Sequence, residues 1–219
     1  IGPTEPVYSL LIDVNERFSG PFETADDGKL YIPTTEALFY VVDTITQTYW
    51  TIPAPTAPAR QPILTDDGGL VSVAADGSLF KISLDGSLLY WHYQPQSSHS
   101  LTPPTQDEYG NLFYVYESGG KAILQALTAE GEEKWAAEFE DTALSKTPQV
   151  TRDNQFVLVK DLIFRTDDGA LITYDLPIEA NELYVGDDGR TYMRAENTFF
   201  EIIISLSGVS LTERSIAPD

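Results

Sequence analysis

Five times in 219 residues the chain runs a short apolar segment into a tight turn and out again into a second apolar segment that alternates with polar residues. The turns centre on Gly28, Gly68, Gly110, Asn154 and Gly189, at intervals of 40, 42, 44 and 35 residues. Such a turn needs a residue with positive φ, a conformation that costs Gly nothing and Asn or Asp little, so its recurrence marks hairpins. No other feature restricts the fold as much. A unit of about forty residues made only of short strands has to bury each sheet against the next one.

The cleanest copy is 61–96, QPILTDDGGLVSVAADGSLFKISLDGSLLYWHYQPQ. Phe80, Ile82 and Leu84 alternate with Lys81 and Ser83, and Leu89, Trp91 and Tyr93 alternate with Leu88, Tyr90 and His92. Period two predicts strands, and Asp76-Gly77 and Asp85-Gly86 predict the hairpins between them. The same order, a Pro, a short strand, a turn and three further strands, predicts units over 21–53, 61–96, 102–141, 147–177 and 182–216. Before them lies a Pro-containing arm, 1–19, with a strand expected at Val7–Val14, and Ala54–Arg60 reads as a Pro/Ala connector. Leu127–Glu140 is the one stretch with a helical look; Gly131 in its middle makes it turn plus strand.

Four-stranded sheets that are apolar on both faces stack around an axis, which is the logic of a β-propeller. The expectation is therefore an all-β chain forming one propeller domain of about five four-stranded blades. The alternative is an open arc, or a fragment of a larger seven- or eight-bladed propeller. Val7–Val14 and Val209–Ile216 both read as outermost strands, and one five-bladed ring needs only one of them. The first residue is Ile rather than Met, which points to a processed mature form or a piece of something longer.

Trp50, Trp91 and Trp135 are spaced 41 and 44 apart, with Tyr174 at the corresponding place in the fourth unit, and their shared position predicts packing between blades. Gly86-Ser-Leu-Leu-Tyr-Trp91 and Gly131-Glu-Glu-Lys-Trp135 follow an acidic residue, and Pro21-Phe-Glu-Thr-Ala-Asp-Asp-Gly-Lys-Leu-Tyr-Ile32 and Pro62-Ile-Leu-Thr-Asp-Asp-Gly-Gly-Leu-Val-Ser-Val73 restart the unit. In these segments, over about residues 18–175, the chain resembles the PQQ-like, or quinoprotein-like, β-propeller repeat family. Similar repeats build quinoprotein dehydrogenases, the propeller lipoprotein of the outer-membrane assembly machinery and many surface proteins. The dehydrogenases hold their quinone beside a cysteine pair and a calcium site. This chain has no Cys, so the resemblance implies the fold without the cofactor, and no cofactor is assigned.

Asp and Glu number 34 against 13 Lys and Arg, a formal charge of −21, which repels nucleic-acid phosphates and anionic lipid headgroups. With no Cys there is no disulfide, zinc thiolate site or thiol nucleophile. The most apolar run, Phe199–Leu206, is far short of the roughly eighteen residues of a membrane helix, so membrane insertion is not expected.

The Asp-Asp-Gly triplets that begin at 26, 66, 167 and 187 lack the alternating oxygen ligands of a calcium loop and read as turns. His92 and His99, the only histidines, read as blade-edge or loop residues. No carboxylate pair stands out for glycoside hydrolysis, which depends on a separation in space. No catalytic, cofactor-binding or metal residue is assigned. The polar loop Tyr93–Thr105 is the candidate for partner contact. The functional expectation is an exported, extracellular or periplasmic, non-catalytic binding or structural scaffold that recognises a protein or carbohydrate partner through propeller loops. Two alternatives stand beside it: a carbohydrate-active enzyme with a central carboxylate pocket, and a subunit of a larger cell-surface assembly.

Overall fold

Proline and glycine lay out each sheet of the structure, a computed structural model that describes residues 17–95, 98–140, 147–172, 182–195, 198–206 and 208–216. The five turn residues anticipated from the sequence all hold positive φ, from 56° at Asn154 to 85° at Gly110. Around them the chain forms five antiparallel sheets. The first is β1 (Glu23–Thr24), β2 (Lys29–Pro33), β3 (Leu38–Asp43) and β4 (Thr48–Pro53), paired in chain order. The second is β5 (Ile63–Leu64), β6 (Gly69–Val73), β7 (Leu79–Ser83) and β8 (Leu89–Tyr93), paired likewise. The third holds β9 (Ser98–Ser100), β10 (Thr105–Gln106), β11 (Leu112–Ser118), β12 (Lys121–Leu127) and β13 (Glu133–Phe139). The fourth shows β14 (Gln149–Val150), β15 (Phe156–Val159) and β16 (Leu162–Arg165), with Leu171 bridged to Phe164. The fifth is β17 (Glu182–Val185), β18 (Thr191–Ala195), β19 (Thr198–Ser205) and β20 (Gly208–Ile216). The expected strand Val7–Val14 and Tyr174 lie outside the described residues.

In the first four sheets a two-residue strand is short because a proline stands just before it. Pro21, Pro62, Pro104 and Pro148 precede β1, β5, β10 and β14, and a residue without an N–H cannot continue a ladder. Upstream of the break the pairing resumes as single bridges, Phe18 to Thr34 and Pro58 to Ala74. In the third sheet it resumes as β9, which pairs with the far end of β11 through Ser100–Tyr116, His99–Glu117 and Ser98–Ser118. The Tyr93–Thr105 stretch, expected to be a recognition loop, therefore contains a strand. Its Ser-His-Ser has no strand pattern of its own; the seven-residue length of β11 leaves backbone groups that this segment satisfies.

Four apolar interfaces join the sheets. Tyr31, Phe39, Val41 and Ile52 of the first face Leu70, Phe80 and Ile82 of the second. Val71, Val73 and Leu79 face Leu112, Tyr114, Tyr116 and Leu127 of the third. Phe113, Leu124 and Trp135 meet Val157, Val159 and Phe164 of the fourth, and Phe156, Leu158 and Ile163 meet Leu183, Met193 and Ile202 of the fifth. The all-β, propeller-like architecture is thus built by faces at period two, both apolar. Among the described residues no such cluster joins the fifth sheet to the first.

Two of the three tryptophans lock these interfaces. Trp91 lies on the Gly131 turn of the next sheet and donates its Nε1–H to the Ala129 carbonyl at 3.0 Å. Trp135 repeats the contact on Gly169 and donates to Thr166 at 3.0 Å. The expected equivalence of Trp50 fails. The corresponding turn glycine, Gly86, is met by Ile52 and Pro53, and Trp50 stands two residues earlier, 39% exposed. Ile52, not Trp50, stands five residues after the positive-φ residue Gln47, the spacing at which Trp91 follows Gly86.

Candidate binding surfaces

The first strands converge. Glu23 of β1, Ile63 and Leu64 of β5, Thr105 and Gln106 of β10 and Thr147 before β14 line a cleft of about 390 Å³ with Gln61, Pro103 and Pro104. Its one lining carboxylate, Glu23, accepts the Gln61 side-chain amide at 3.0 Å. Acid/base hydrolysis of a glycosidic bond needs two carboxyl groups roughly 5–10 Å apart. Among the described lining residues Glu23 has no second. Nor does this lining suit pyrroloquinoline quinone, a tricarboxylate: it holds no Lys or Arg, and Glu23 would oppose the ligand's charge. The described residues hold no group of three or more metal-ligating side chains.

A second cleft, about 470 Å³, opens between the fourth and fifth sheets, lined by Arg152, Arg190, Glu201, Phe156 and Ile202–Ile204 among others. Its guanidinium groups are engaged locally. Arg190 pairs with Glu201 at 3.4 Å and with Asp188 at 3.7 Å, and Arg152 donates to the Asp188 carbonyl at 3.4 Å.

The acidic turns are used by their own backbones. Asp85 accepts the Ser87 amide at 2.9 Å and the Ser83 hydroxyl at 2.6 Å, and these bonds hold its carboxyl down at about 2. Asp76, Asp107, Asp153, Asp168 and Asp188 take amides two residues on in the same way. Of the two histidines, His92 lies on β8 with its ring edge-on to Phe80, and His99 on β9, 2.8 Å from Glu117. They belong to different sheets.

Most of the polar loop is also committed to packing. Pro95, Ser100, Leu101 and Thr102 are buried, and the Tyr93 hydroxyl lies 3.0 Å from both Gln125 and Glu133. Burial first, and then Glu133, push the Tyr93 phenol well above its ordinary range, so it stays protonated. What sequence reasoning missed is the outer perimeter of the first two sheets, where Ile45, Tyr49, Trp50, Leu88, Leu89 and Tyr90 are exposed. The signal was present: β4 reads TYWTIP and β8 LYWHY, without Asp, Glu, Lys or Arg, whereas β13 reads EKWAAEF.

Set against known proteins, residues 8–143 match the sequence family described as outer membrane protein assembly factor BamB. No curated protein sequence matches the chain. Among solved structures, it is similar to a protein of unknown function from Bacteroides caccae, with TM-score 0.51 and 14% identity over 84% of this chain and 70% of that one. It is also similar to the quinohemoprotein alcohol dehydrogenase from Comamonas testosteroni, with TM-score 0.59 and 14% identity over 90% of this chain but 39% of that one. At such identity the likeness shows the fold alone.

Proposed function

The chain belongs to the PQQ-like repeat family described as outer membrane protein assembly factor BamB, and from that membership we propose that it is a non-catalytic scaffold of the cell envelope, acting on the exported side of the membrane by binding a protein partner. The observation that carries this reading is how the polar chemistry is distributed. Turn aspartates cap their own hairpins, the Trp91 and Trp135 N–H groups serve the neighbouring sheet, and the guanidinium groups of the second cleft are ion-paired or hydrogen-bonded. Two adjacent sheets meanwhile present uncharged aromatic and aliphatic side chains to solvent, the composition that favours protein contact over catalysis. No helix among the described residues is long and apolar enough to cross a membrane.

The test is chemical cross-linking of the natural protein in intact cells, read by mass spectrometry, beside assays of the purified chain for quinone-dependent dye reduction and glycoside hydrolysis. The expected result is cross-links from the perimeter of the first two sheets to an envelope protein, with neither activity. Hydrolysis abolished by Glu23→Gln, or dye reduction that requires added quinone, would overturn it.

A further inference from the structure

Among the described residues, the outermost strand of each sheet keeps one unpaired edge. An edge strand offers a row of free N–H and C=O groups, and natural proteins blunt such edges with charge, proline or a bulge. The β13 edge is blunted by Glu133, Lys134 and Glu138, the last paired with Lys121 at 2.9 Å, and by a register shift against β12. β20 is shifted against β19, and β8, which holds no Asp, Glu, Lys or Arg, is shifted against β7. The β4 edge has neither device. It pairs with β3 without interruption from Asp43–Thr48 to Leu38–Pro53, and its one proline is the last residue.

The side chains of β4 suit pairing as well as its backbone does. Thr-Tyr-Trp-Thr-Ile is a run of strong strand formers, and Thr48, Tyr49, Trp50 and Thr51 are all exposed. Behind them β3 is anchored by Phe39 and Val41, both fully buried, so the edge is held straight and ready. Carboxylates stand at both ends. Asp43 is opposite Thr48 at one end, and Lys29, its neighbour on β2, is ion-paired with Asp27. Toward the other end lie Glu36, two residues before Leu38, and Asp85, whose turn rests on Ile52 and Pro53.

We infer that β4 is a docking edge for an extended segment of a partner protein, one with an uncharged, strand-forming centre and a Lys or Arg at each end, which adds to the first sheet as a further strand. The inference rests on the protein-binding reading above and narrows it to one surface. Strand rise is about 3.3 Å per residue, so the flanking cations stand about six residues apart to reach both acidic ends. A second copy of this chain is the wrong occupant. Antiparallel pairing of two β4 edges would set Asp43 of each against Glu36 and Asp85 of the other, between bodies that each carry −21.

The test uses the whole chain and a synthetic heptapeptide, Lys-Thr-Val-Thr-Val-Thr-Lys, whose cations stand six residues apart, read by amide hydrogen exchange. The expected result is about tenfold slowing confined to the amides of residues 48–52. It should vanish when the peptide ends are Glu, or when the protein carries Thr51→Lys, an exposed substitution whose folding is checked by circular dichroism. A milder variant, Asp85→Asn, should weaken the effect without removing it. No slowing at millimolar peptide, equal slowing with the Glu-ended peptide, or self-association of the chain through β4 would each overturn the inference. Slowing at β5 and β10 instead would retire the β4 edge while leaving a protein-binding role intact, whereas a quinone- or glycoside-dependent activity would retire the scaffold reading itself.

Discussion

Substituting Gly131 by Ala isolates what the tryptophan joints contribute. Gly131 holds φ at +81°, and a Cβ there would lie 2.5 Å from Cδ2 of Trp91 and 2.7 Å from its Cγ. Gly68 holds the same φ of +81° with nothing within 4 Å of the added carbon. Both substitutions incur the left-handed backbone penalty, about 1–2 kcal/mol, and both restrict the unfolded chain equally. Only Gly131→Ala must also displace the indole, an overpacking cost of about 1–3 kcal/mol. Gly131→Ala should therefore be less stable than Gly68→Ala by about 1–3 kcal/mol, or about 2–12 °C in Tm for a chain of this length. Urea denaturation followed by far-UV circular dichroism and by tryptophan fluorescence measures the difference. Repeating the pair in a Trp91→Leu background should shrink the gap to under about 1 kcal/mol, because the smaller side chain can yield. Equal costs in the unaltered background, or a gap that survives Trp91→Leu, would refute the joint.

Three further outcomes follow from the same contacts. Trp135→Phe removes the donor to the buried Thr166 carbonyl and should cost about 1–3 kcal/mol in urea titration, while Trp50→Phe, with no turn glycine to lock, should cost under about 1 kcal/mol. Asp67→Ala strands the buried Lys81 ammonium and should cost about 1–3 kcal/mol, more than Lys81→Met, which removes the cation and keeps the volume. Asp85 has a folded pKa of about 2 against an ordinary 3.8, so its contribution is fully present above the ordinary value and lost as pH falls through the folded one. The stability difference between the native chain and Asp85→Asn should be flat from neutral pH to about 5 and close between about 4 and 2; a difference unchanged at pH 2 would refute the assignment.

The sheets were legible in the sequence because their two determinants are local. A positive-φ residue fixes a hairpin, and alternation fixes which side chains share a face, so Gly28, Gly68, Gly110, Asn154 and Gly189 located the repeat without any tertiary information. The failures share one cause, dependence on distant partners. Trp50 was misplaced because the seat on the neighbouring turn lies five residues after the positive-φ Gln47, as Trp91 lies five after Gly86, and Ile52 fills it. β9 was invisible because Ser98–Ser100 becomes a strand only through the length of β11. The exposed edge of β4 went unremarked because an uncharged strand reads the same whether it is central or outermost; which strand lies outside is decided by assembly of the sheet.

The joints between sheets run in one direction. Ile52 of the first sheet sits on Gly86 of the second, Trp91 of the second on Gly131 of the third, and Trp135 of the third on Gly169 of the fourth. The second and third sheets thus carry a plug for the sheet ahead and a socket for the sheet behind. Copying one forty-residue stretch in tandem copies both halves of a junction at once, so an array of this kind can gain or lose units by duplication or deletion with every remaining junction still matched.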